Sequence, residues 1–377
     1  MERFKESAVQ LVRTRLRPTI AARSAWYEEV QKLLQREEAY IWGTGELGVW
    51  VPLFLRTHGG RAKAFIDAAP VRWGTEIAGL PCLAPTDVPV QEDPLVIIGT
   101  GAYSRAVAEH LSAMGVRRVL DISDFRLNEL FDSIRDAAPD DVAAQVGACF
   151  DILADDASRA VLLAKLRGFF DFEAGFGRQR YYEDVCRGDQ YFQDDLIHFT
   201  EDSVLVDCGA YTGDTMQDFL RRGYPFRKYI AYELSRRSYD MLQENMRNVR
   251  GGGTGELIAY NCGVGEREEI VHYDDAIRGN TISASGVVGK TVRLSEHLRD
   301  EPVSFIKMDI EGAEIAALKG AAELIRSRRP DLAICTYHSI SDLYEVPLYI
   351  HSLVPEYRLY LRHHTPVHYE TVCYAVI

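Results

Sequence analysis

The sequence predicts an α/β protein that contains two separate, mostly parallel sheets. Two observations lead to this fold class: short apolar segments alternate with helical patterns between residues 39 and 125, and the same alternation returns after residue 199. The chain of 377 residues is also longer than one ordinary domain. We therefore expect a helical segment over 1–38, a small α/β domain over 39–125, a helical connector over 126–198 and a larger α/β domain over 199–377.

Composition and charge exclude several classes of protein. Hydrophobic residues make up 47% and charged residues 26% of the chain, which is typical of a soluble globular protein. The formal net charge of −13 disfavours nucleic acids and anionic membrane surfaces as partners. No apolar stretch reaches the length of a membrane span, and no signal-peptide core lies near the start. Seven cysteines without a C-x-x-C spacing fit a reducing cytoplasm; whether the protein forms a homo-oligomer stays open.

The first α/β series carries a glycine motif of the Rossmann type. Its strands are predicted at 39–42, 62–66, 95–98 and 118–121. Gly43, Gly45 and Gly48 follow the first strand in a G-x-G-x-x-G arrangement, and Asp67 ends the second strand. Backbone N–H groups at the following helix N-terminus favour a diphosphate, and an acid at this place can contact a ribose. The sequence therefore predicts a Rossmann-like nucleotide site in the N-terminal domain.

Several interpretations of this N-terminal site stay open. It could hold the cofactor of an NAD(P)-dependent enzyme that modifies sugar-nucleotides, but the unit is short and no Tyr-x-x-x-Lys pair follows its last strands. It could also belong to a non-catalytic nucleotide-binding scaffold, or be a fold kept for packing or dimerisation. The segments Phe65–Asp67 and Gly79–Cys82 resemble small nucleotide-sugar-recognition domains, and this resemblance implies a sugar-nucleotide ligand.

The second α/β series predicts five parallel strands followed by an antiparallel pair. The parallel strands are expected at 204–207, 228–233, 256–261, 303–309 and 331–338, and the final pair at 357–364 and 371–377. A short connector joins the final two strands, which makes them antiparallel neighbours. Because the carboxyl ends of parallel strands form one ligand crevice, residues at these ends are the first candidates for a functional site.

A glycine-containing turn follows the first of these strands. Glycines let the backbone approach a ligand closely, and the N-terminus of the next helix suits the charged end of an amino-acid moiety. A plain strand-to-helix turn of any α/β protein would show the same pattern. The residues that we expect to contact a cofactor here are Asp207, Gly209, Ala210, Tyr211, Gly213, Asp214 and Thr215.

The next two strand ends favour a nucleoside cofactor. Glu233 ends the second strand, where an acidic residue can accept hydrogen bonds from both ribose hydroxyls. Asn261 ends the third strand, at a place that suits an adenine. A solvated strand end is the alternative for Glu233.

Charged residues at the end of the fourth strand form a candidate catalytic group. Strand alternation puts Lys307 and Asp309 on the same side, and their burial at the end of an apolar strand is costly unless they are paired or used. A structural Lys–Asp ion pair is the alternative. Glu311 and Glu314 follow, and we expect Glu311 to contact the substrate, although either glutamate could cap the following helix.

Histidines lie at the ends of two further strands. His338 ends the fifth strand and should lie near Asp309, while Arg362, His363 and His364 end another strand and are expected to contact the substrate. An imidazole can take the proton of a hydroxyl group near neutral pH. The same Asp and His types could instead hold a divalent metal, and no spacing in the sequence decides between these roles.

The second part of the chain, from about Asp189 to Ile377, resembles the FkbM-type methyltransferases. The blocks that carry the resemblance are Gln190–Phe192, Asp207–Thr215, Lys307–Glu314, Ala333–His338 and Arg362–His364. The resemblance implies a class I methyltransferase fold with a seven-stranded Rossmann-like sheet, and S-adenosylmethionine as methyl donor. It also implies O-methylation of sugars or other hydroxylated metabolites, as in polysaccharide biosynthesis. The turn has only Gly209 and Gly213, in contrast to the G-x-G-x-G form of the wider superfamily.

These observations lead to one expected function. We expect a methyltransferase that uses S-adenosylmethionine to methylate a hydroxyl on a small-molecule acceptor, which can be a sugar or a sugar-nucleotide. Asp309 or His338 would remove the hydroxyl proton, Lys307 would orient neighbouring groups, and Arg362 would contact an anionic part of the acceptor.

Overall fold

The N-terminal part of the chain begins with a long helix and continues as an α/β unit. The computed structural model describes residues 2–249, 255–273, 282–283 and 286–377. The first elements are α1 Glu2–Arg36, β1 Glu38–Trp42, α2 Glu46–Thr57, β2 Arg61–Ile66, β3 Glu76–Ile77, β4 Leu80–Leu83, β5 Leu95–Ile98, α3 Ser104–Ala113 and β6 Arg118–Asp121. Short 3-10 turns lie at Pro70–Arg72, Pro85–Asp87, Val90–Glu92 and Gly101–Tyr103.

The six strands of this unit form one sheet in the order β3-β4-β2-β1-β5-β6. Strand β1 pairs in parallel with both β2 and β5, so the direction of winding reverses between β1 and β5. Strand β5 is buried along its whole length because helices cover both faces of the sheet. The glycine motif after β1 therefore lies at the topological switch point, where ligands bind in open α/β sheets.

The connector consists of helices that pack on the larger domain. They are α4 Ile122–Leu130, α5 Pro139–Ile152, α6 Asp156–Phe170 and α7 Gln179–Glu183, with 3-10 turns at Phe131–Ile134 and Phe172–Arg178. The first half of α1 packs with them, through Ala8, Val12 and Leu16, in the main hydrophobic core. The second half of α1 contributes Val30 and Leu34 to the core of the N-terminal sheet. Helix α1 is thus shared by both sheets.

The larger domain alternates strands and helices from Val204 onward. Its elements are β7 Val204–Cys208, α8 Asp214–Arg222, β8 Lys228–Tyr232, α9 Arg236–Asn248, β9 Glu256–Tyr260, β10 Gly263–Val264, β11 Glu269–Tyr273, β12 Ile282–Ser283, β13 Val287–Val292, α10 Leu294–His297, β14 Phe305–Met308, α11 Glu314–Arg328, β15 Asp331–Cys335, α12 Asp342–Leu353, β16 Arg358–His363 and β17 Thr371–Val376. None of the helices in the described part of the chain combines the length and apolarity that a membrane span requires.

The main sheet has seven strands in the order β16-β17-β15-β14-β7-β8-β9. Strand β17 runs antiparallel to β15 and β16, and the pairs from β15 to β9 are parallel. Alternate residues of each strand enter two different cores, because successive side chains of a strand point to opposite faces. Strands β10 to β13 form a separate four-stranded sheet in the order β10-β13-β11-β12.

The predicted strand sequence is confirmed for the main sheet. All seven predicted strands are present, and the α/β fold is that of a class I methyltransferase-like sheet. The strands predicted at 303–309 and 331–338 end earlier, at Met308 and Cys335, because the chain leaves the ladder there to form loops at the carboxyl edge. The sequence-based prediction missed the β3–β4 hairpin. It also did not assign 269–273 and 287–294 to a separate sheet, in which β11 and β13 pair antiparallel.

Candidate functional site

The turn after β7 is built from residues in left-handed backbone conformations. Gly209, Tyr211 and Gly213 have φ angles of +79°, +47° and +87°. The N–H of Gly213 donates to the carbonyl of Ala210 at 2.8 Å, which closes the turn before α8 begins at Asp214. Tyr211 and Asp214 are exposed, whereas Ala210 and Thr215 are buried. The turn therefore presents exposed residues at the start of a helix.

A buried ion pair lies beneath this turn. Asp207 and Lys307 are direct partners in the parallel pairing of β7 and β14, and their side chains are 2% and 3% exposed. The Nζ of Lys307 lies 2.9 Å from Oδ1 of Asp207 and donates to the carbonyl of Gly209 at 2.7 Å. The hydroxyl of Tyr229 donates to Oδ2 of Asp207 at 2.7 Å. Both carboxylate oxygens of Asp207 therefore have partners within the protein.

Glu233 supports the opposite side of the turn. Its carboxylate accepts hydrogen bonds from the N–H of Tyr211 at 2.8 Å and from the N–H of Ser235 at 2.7 Å. Burial raises the pKa of Glu233 to about 7, against the lowering effect of these backbone donors. Asn261 donates to the carbonyl oxygens of Glu233 and Leu234, and so fixes the loop after β8. The structure thus brings Glu233 and Asn261 together with the glycine turn.

The turn packs directly against the end of β14. A Cβ atom placed on Gly209 would lie 1.8 Å from the carbonyl oxygen of Asp309, and the N–H of Asp309 donates to the carbonyl of Cys208 at 3.0 Å. Only glycine allows this approach, because every other residue would collide with the backbone of Asp309. The candidate cofactor turn and the candidate catalytic residue are therefore in van der Waals contact.

Two tyrosines and a histidine hold the Asp309 side chain. The hydroxyl of Tyr191 donates to Oδ2 at 2.8 Å, and the hydroxyl of Tyr337 donates to Oδ1 at 2.9 Å. The Nε2 atom of His338 lies 3.3 Å from Oδ1. Although burial favours the neutral acid, His338 and Lys307 hold the pKa of Asp309 below its usual value. The carboxylate is ionised and fixed in position.

His338 lies among three carboxylates. Oε1 of Glu314 is 3.0 Å from Nδ1, and Oε2 of Glu311 is 3.6 Å from Nε2, on the same side as Asp309. Burial would lower the pKa of His338, but Glu314, Asp309 and Glu311 raise it to about 10. Asp309, Glu314 and His338 each place a potential metal ligand within 4.8 Å of the others. We call Asp309, Glu311, Glu314 and His338 the acid–histidine cluster.

Glu370 is a further acid that the sequence reading did not single out. It lies in the hairpin between β16 and β17 and accepts a hydrogen bond from the side chain of Gln190. Burial, followed by the charge of Asp309, raises the pKa of Glu370 to about 7. No local sequence pattern marks Glu370 as a site residue, because the segment 365–370 is neither strand nor helix. The sequence analysis named Tyr191 only as part of the Gln190–Phe192 block and gave it no role. Its contact with Asp309 depends on the tertiary structure.

The three residues at the end of β16 do not join the acid–histidine cluster directly. Arg362 is 3% exposed, and its guanidinium donates to Asp155 at 2.8 Å and to Ser158 at 2.9 Å. His363 is fully buried with Nδ1 2.9 Å from the hydroxyl of Thr371. The expected contact of Arg362 with an anionic substrate is therefore replaced by an ion pair that ties helix α6 to the sheet.

His364 is linked to the cluster through other residues. Its Nε2 lies 3.1 Å from the hydroxyl of Tyr374, and that hydroxyl accepts a hydrogen bond from the N–H of Tyr191 at 2.9 Å. Burial lowers the pKa of His364 to about 4, so the imidazole is neutral. In this position His364 supports Tyr191, which in turn holds Asp309.

The N-terminal glycine motif forms a tight turn with its acid nearby. A Cβ atom on Gly48 would lie 2.0 Å from the carbonyl oxygen of Gly43, so the helix start packs directly on the turn. Gly45 has open space around its Cα. The carboxylate of Asp67 accepts hydrogen bonds from the N–H and the hydroxyl of Thr44 at 3.0 and 2.6 Å. The structure brings Gly43, Gly48 and Asp67 together, with Asp67 bonded to the turn itself.

The carboxyl edge of the N-terminal sheet contacts the connector and the larger domain. Gln179 of the connector donates to the carbonyl of Ala102, just after β5. A Cβ atom on Gly101 would lie 2.7 Å from the hydroxyl of Tyr369, which precedes Glu370 in the hairpin between β16 and β17. One short hairpin therefore contacts the switch-point edge of the N-terminal sheet through Tyr369 and carries Glu370, whose pKa is raised by the charge of Asp309.

The strand order and the turn after β7 define a class I methyltransferase-like protein. Residues 207–365 match the family model of the methyltransferase FkbM domain. The match contains the turn, Glu233 and the acid–histidine cluster.

A solved structure shares the fold of nearly the whole chain. The methyltransferase FkbM from Methylobacillus flagellatus KT is similar with a TM-score of 0.67 and 24% identity, over 96% of this chain and 99% of that chain. Fibrillarin from Aeropyrum pernix, solved with natively bound S-adenosyl-L-methionine, gives a TM-score of 0.29 and 14% identity, over 48% of this chain and 70% of that one. No curated protein matches the sequence.

The contact between Gly209 and Asp309 gives a testable consequence for stability. Gly209→Ala should lower the free energy of unfolding by about 3 kcal/mol or more, because the methyl group meets the Asp309 carbonyl and φ is positive. Gly223→Ala is the matched control, since Gly223 also has a positive φ, but a Cβ there would meet none of the described atoms beyond its chain neighbours within 4 Å; it should cost about 1 kcal/mol. Urea unfolding measures both. Equal losses would contradict the close packing of the turn on Asp309.

Proposed function

We propose that this protein is an S-adenosylmethionine-dependent O-methyltransferase that acts on a hydroxyl of a sugar, a sugar-nucleotide or a related metabolite. The observation that carries the proposal is the direct packing of the Gly209 turn on Asp309, since a donor bound at this turn would lie beside a fixed carboxylate. The FkbM domain match supports methyl transfer as the reaction class. The acceptor class rests on the resemblance and on the proton-accepting groups at the site.

The donor would lie along the carboxyl edge of β7 and β8. The backbone of the Gly209–Gly213 turn and the start of α8 suit the amino-acid end of S-adenosylmethionine. Glu233 suits the ribose hydroxyls, and the loop that Asn261 fixes suits the adenine. Because the carboxylate of Asp207 is engaged by Lys307 and Tyr229, we assign Asp207 to holding the turn rather than to direct contact with the donor ammonium.

The reaction would be a direct displacement at the sulfonium methyl group. The acceptor oxygen would form a bond to the methyl carbon while the carbon–sulfur bond breaks. The electron pair of the broken bond would stay on sulfur and give S-adenosylhomocysteine. The hydroxyl proton passes to Asp309, which Tyr191, Tyr337 and His338 orient. Lys307 is a positioning residue that holds the carbonyl of Gly209. Alignment of donor and acceptor supplies most of the rate enhancement in such a transfer.

The reacting end of the acceptor should be neutral. Asp309, Glu311, Glu314 and Glu370 surround the site, and an anionic group would be repelled by them. We assign Glu311, whose side chain is 36% exposed, to a hydrogen bond with a second hydroxyl of a sugar. Any diphosphate of a sugar-nucleotide would therefore have to lie away from this cluster.

We assign the diphosphate of such an acceptor to the N-terminal unit. The Gly43–Gly48 turn lies at the switch point of the N-terminal sheet, and the hairpin that carries Glu370 reaches the same edge through Tyr369. This connection favours an acceptor-recognition role over a separate redox site. Asp67 already bonds Thr44, which favours recognition by the turn backbone over direct ribose binding by Asp67.

Donor binding should depend on pH through Glu233. Its pKa of about 7 means that the carboxylate is largely protonated at pH 6 and ionised at pH 8. Since ribose hydroxyls donate to the ionised form, affinity for S-adenosylhomocysteine should rise about tenfold between these pH values. Glu233→Gln should weaken binding by about tenfold to a hundredfold at pH 8. Isothermal titration calorimetry measures both effects.

Two controls separate this effect from titration of the ligand. The amino group of the ligand titrates in the same way with both proteins. Any pH dependence of binding that remains in Glu233→Gln is therefore assigned to the ligand. Glu256→Gln removes the same type of charge at the amino end of β9 and should bind as the wild type does. Equal affinity of wild type and Glu233→Gln at pH 8 would remove Glu233 from the donor site.

Asp309→Asn should separate donor binding from chemistry. The variant keeps the shape of the side chain and the donor turn, but an amide cannot accept the hydroxyl proton, so turnover should fall about a hundredfold or more. Calorimetry should give donor affinity within about threefold of the wild type. Asp331→Asn, at the amino end of β15, is the control with unchanged turnover. Full turnover in Asp309→Asn, measured by transfer of labelled methyl, would reject the proposed base.

Gly45→Val should test the N-terminal ligand site in the full-length protein. The open space around Gly45 tolerates a side chain, but this side chain would block a diphosphate at the start of α2. Saturation-transfer NMR should show UDP-glucose binding that is at least tenfold weaker in Gly45→Val. Gly177→Val, also at an open glycine without positive φ, should bind normally. Binding of NAD alone, or of neither nucleotide, would contradict the proposal.

A further inference from the structure

We infer that Asp309, Glu311 and His338 form a binding site for one divalent first-row metal ion, with Glu314 as the group that orients the histidine. Cation binding goes beyond methyl transfer and can be measured without donor or acceptor.

Three potential ligand atoms converge on one side of the imidazole ring. Oδ1 of Asp309 and Oε2 of Glu311 lie 3.3 and 3.6 Å from Nε2 of His338. Ligand atoms at about 2.1 Å from a metal ion and at right angles to each other are about 3.0 Å apart. The observed separations are slightly wider than this value. Each carboxylate oxygen is therefore close enough to Nε2 to share an ion with it after a small side-chain movement.

The histidine is buried, and its Nε2 is poorly satisfied. The side chain of His338 is 9% exposed, and within the described part of the chain Nε2 makes no hydrogen bond of good geometry, although oxygens of Asp309 and Glu311 lie close to it. A buried polar group normally has a well-directed partner. Nε2 points toward the oxygens of Asp309 and Glu311, where a cation would supply that partner.

Glu314 lies on the other side of the ring. Its Oε1 is 3.0 Å from Nδ1 of His338 and also accepts a hydrogen bond from the N–H of Ile310 at 2.9 Å. Glu314 is fully buried at the start of α11. A carboxylate on the second nitrogen fixes the tautomer and the orientation of a metal-binding histidine. We therefore assign Glu314 to the support of the site rather than to the ion itself.

Asp309 can bind a metal ion while it keeps its hydrogen bonds to the protein. Tyr191 and Tyr337 donate to its two oxygens and fix the carboxylate plane, and each oxygen retains a further lone pair. Glu311 is held beside the ring by a left-handed backbone conformation with φ of +56°, followed by Gly312 at +95°. The ligand set thus comes from two successive loops at the carboxyl edge of the main sheet.

Two carboxylates and one imidazole select the chemical class of the ion. Carboxylate oxygens suit Mg²⁺ and Mn²⁺, and the imidazole shifts the preference toward first-row transition metals. Three protein ligands leave coordination positions for the acceptor. A bound ion would lower the pKa of a coordinated hydroxyl and neutralise the excess negative charge of the cluster.

The test uses the full-length protein after treatment with a chelator and desalting. Mn²⁺ is added stepwise, and the electron paramagnetic resonance signal of free Mn²⁺ gives the bound fraction. The wild type should bind one Mn²⁺ per chain in the micromolar range, and Mg²⁺ should compete weakly. His338→Gln and Glu311→Gln should each weaken binding at least tenfold. Glu311 is partly exposed, so its variant should keep the fold even if His338→Gln does not.

Glu345→Gln is the matched control, because Glu345 lies in α12 just after the His338 loop and makes none of the contacts described above. It should bind Mn²⁺ as the wild type does. No binding to the wild type below 1 mM, or equal losses in Glu345→Gln and Glu311→Gln, would overturn the site.

The donor titration in the same samples separates this inference from the proposed function. Mn²⁺ binding without donor binding would support the cation site and reject the methyltransferase proposal. Methyl transfer at an undiminished rate in EDTA, with no Mn²⁺ bound by the wild type, would overturn the cation site and leave the proposed function standing.

Discussion

The arrangement of the functional edge depends on the buried ion pair between Lys307 and Asp207. A buried pair of this kind adds little net stability, because desolvation offsets the attraction, but loss of one partner typically costs about 3–5 kcal/mol. Both charged groups make a further hydrogen bond here. The hydroxyl of Tyr229 donates to the carboxylate of Asp207, and the ammonium of Lys307 donates to the carbonyl of Gly209. The pair therefore fixes the register of β7 against β14 and sets the turn against Asp309.

The N-terminal sheet and the main sheet are far apart in the sequence, but other elements of the fold connect their carboxyl edges. Helix α1 belongs to the cores of both sheets, and the ion pair of Asp155 with Arg362 ties the connector to β16. The hairpin after β16 contacts the edge of the N-terminal sheet through Tyr369 and carries Glu370. Under the proposed function, a ligand at the N-terminal turn and a reaction at Asp309 would involve two ends of one acceptor.

The sequence predicts the strands of the main sheet because apolar segments and strand-end polar residues are local signals. It also predicts that Asp309 and His338 meet, since both end neighbouring parallel strands. It does not predict that Lys307 pairs with Asp207, because the register between β7 and β14 is a tertiary property. Arg362 has the local pattern of a substrate contact, and only the position of Asp155 on another element shows its structural use. Tyr191 and Glu370 come from irregular segments that carry no periodic signal.

The most direct test of the central claim is transfer of a carbon-13 methyl group from labelled S-adenosylmethionine to a panel of sugars and sugar-nucleotides. We expect a new labelled methyl ether on the acceptor oxygen, detected by NMR, together with one S-adenosylhomocysteine per methyl group by mass spectrometry. The signal should be lost in Asp309→Asn and retained in Asp331→Asn. A labelled methyl group on nitrogen or carbon would contradict O-methylation, and a protein that binds neither S-adenosylmethionine nor its product would contradict the donor site.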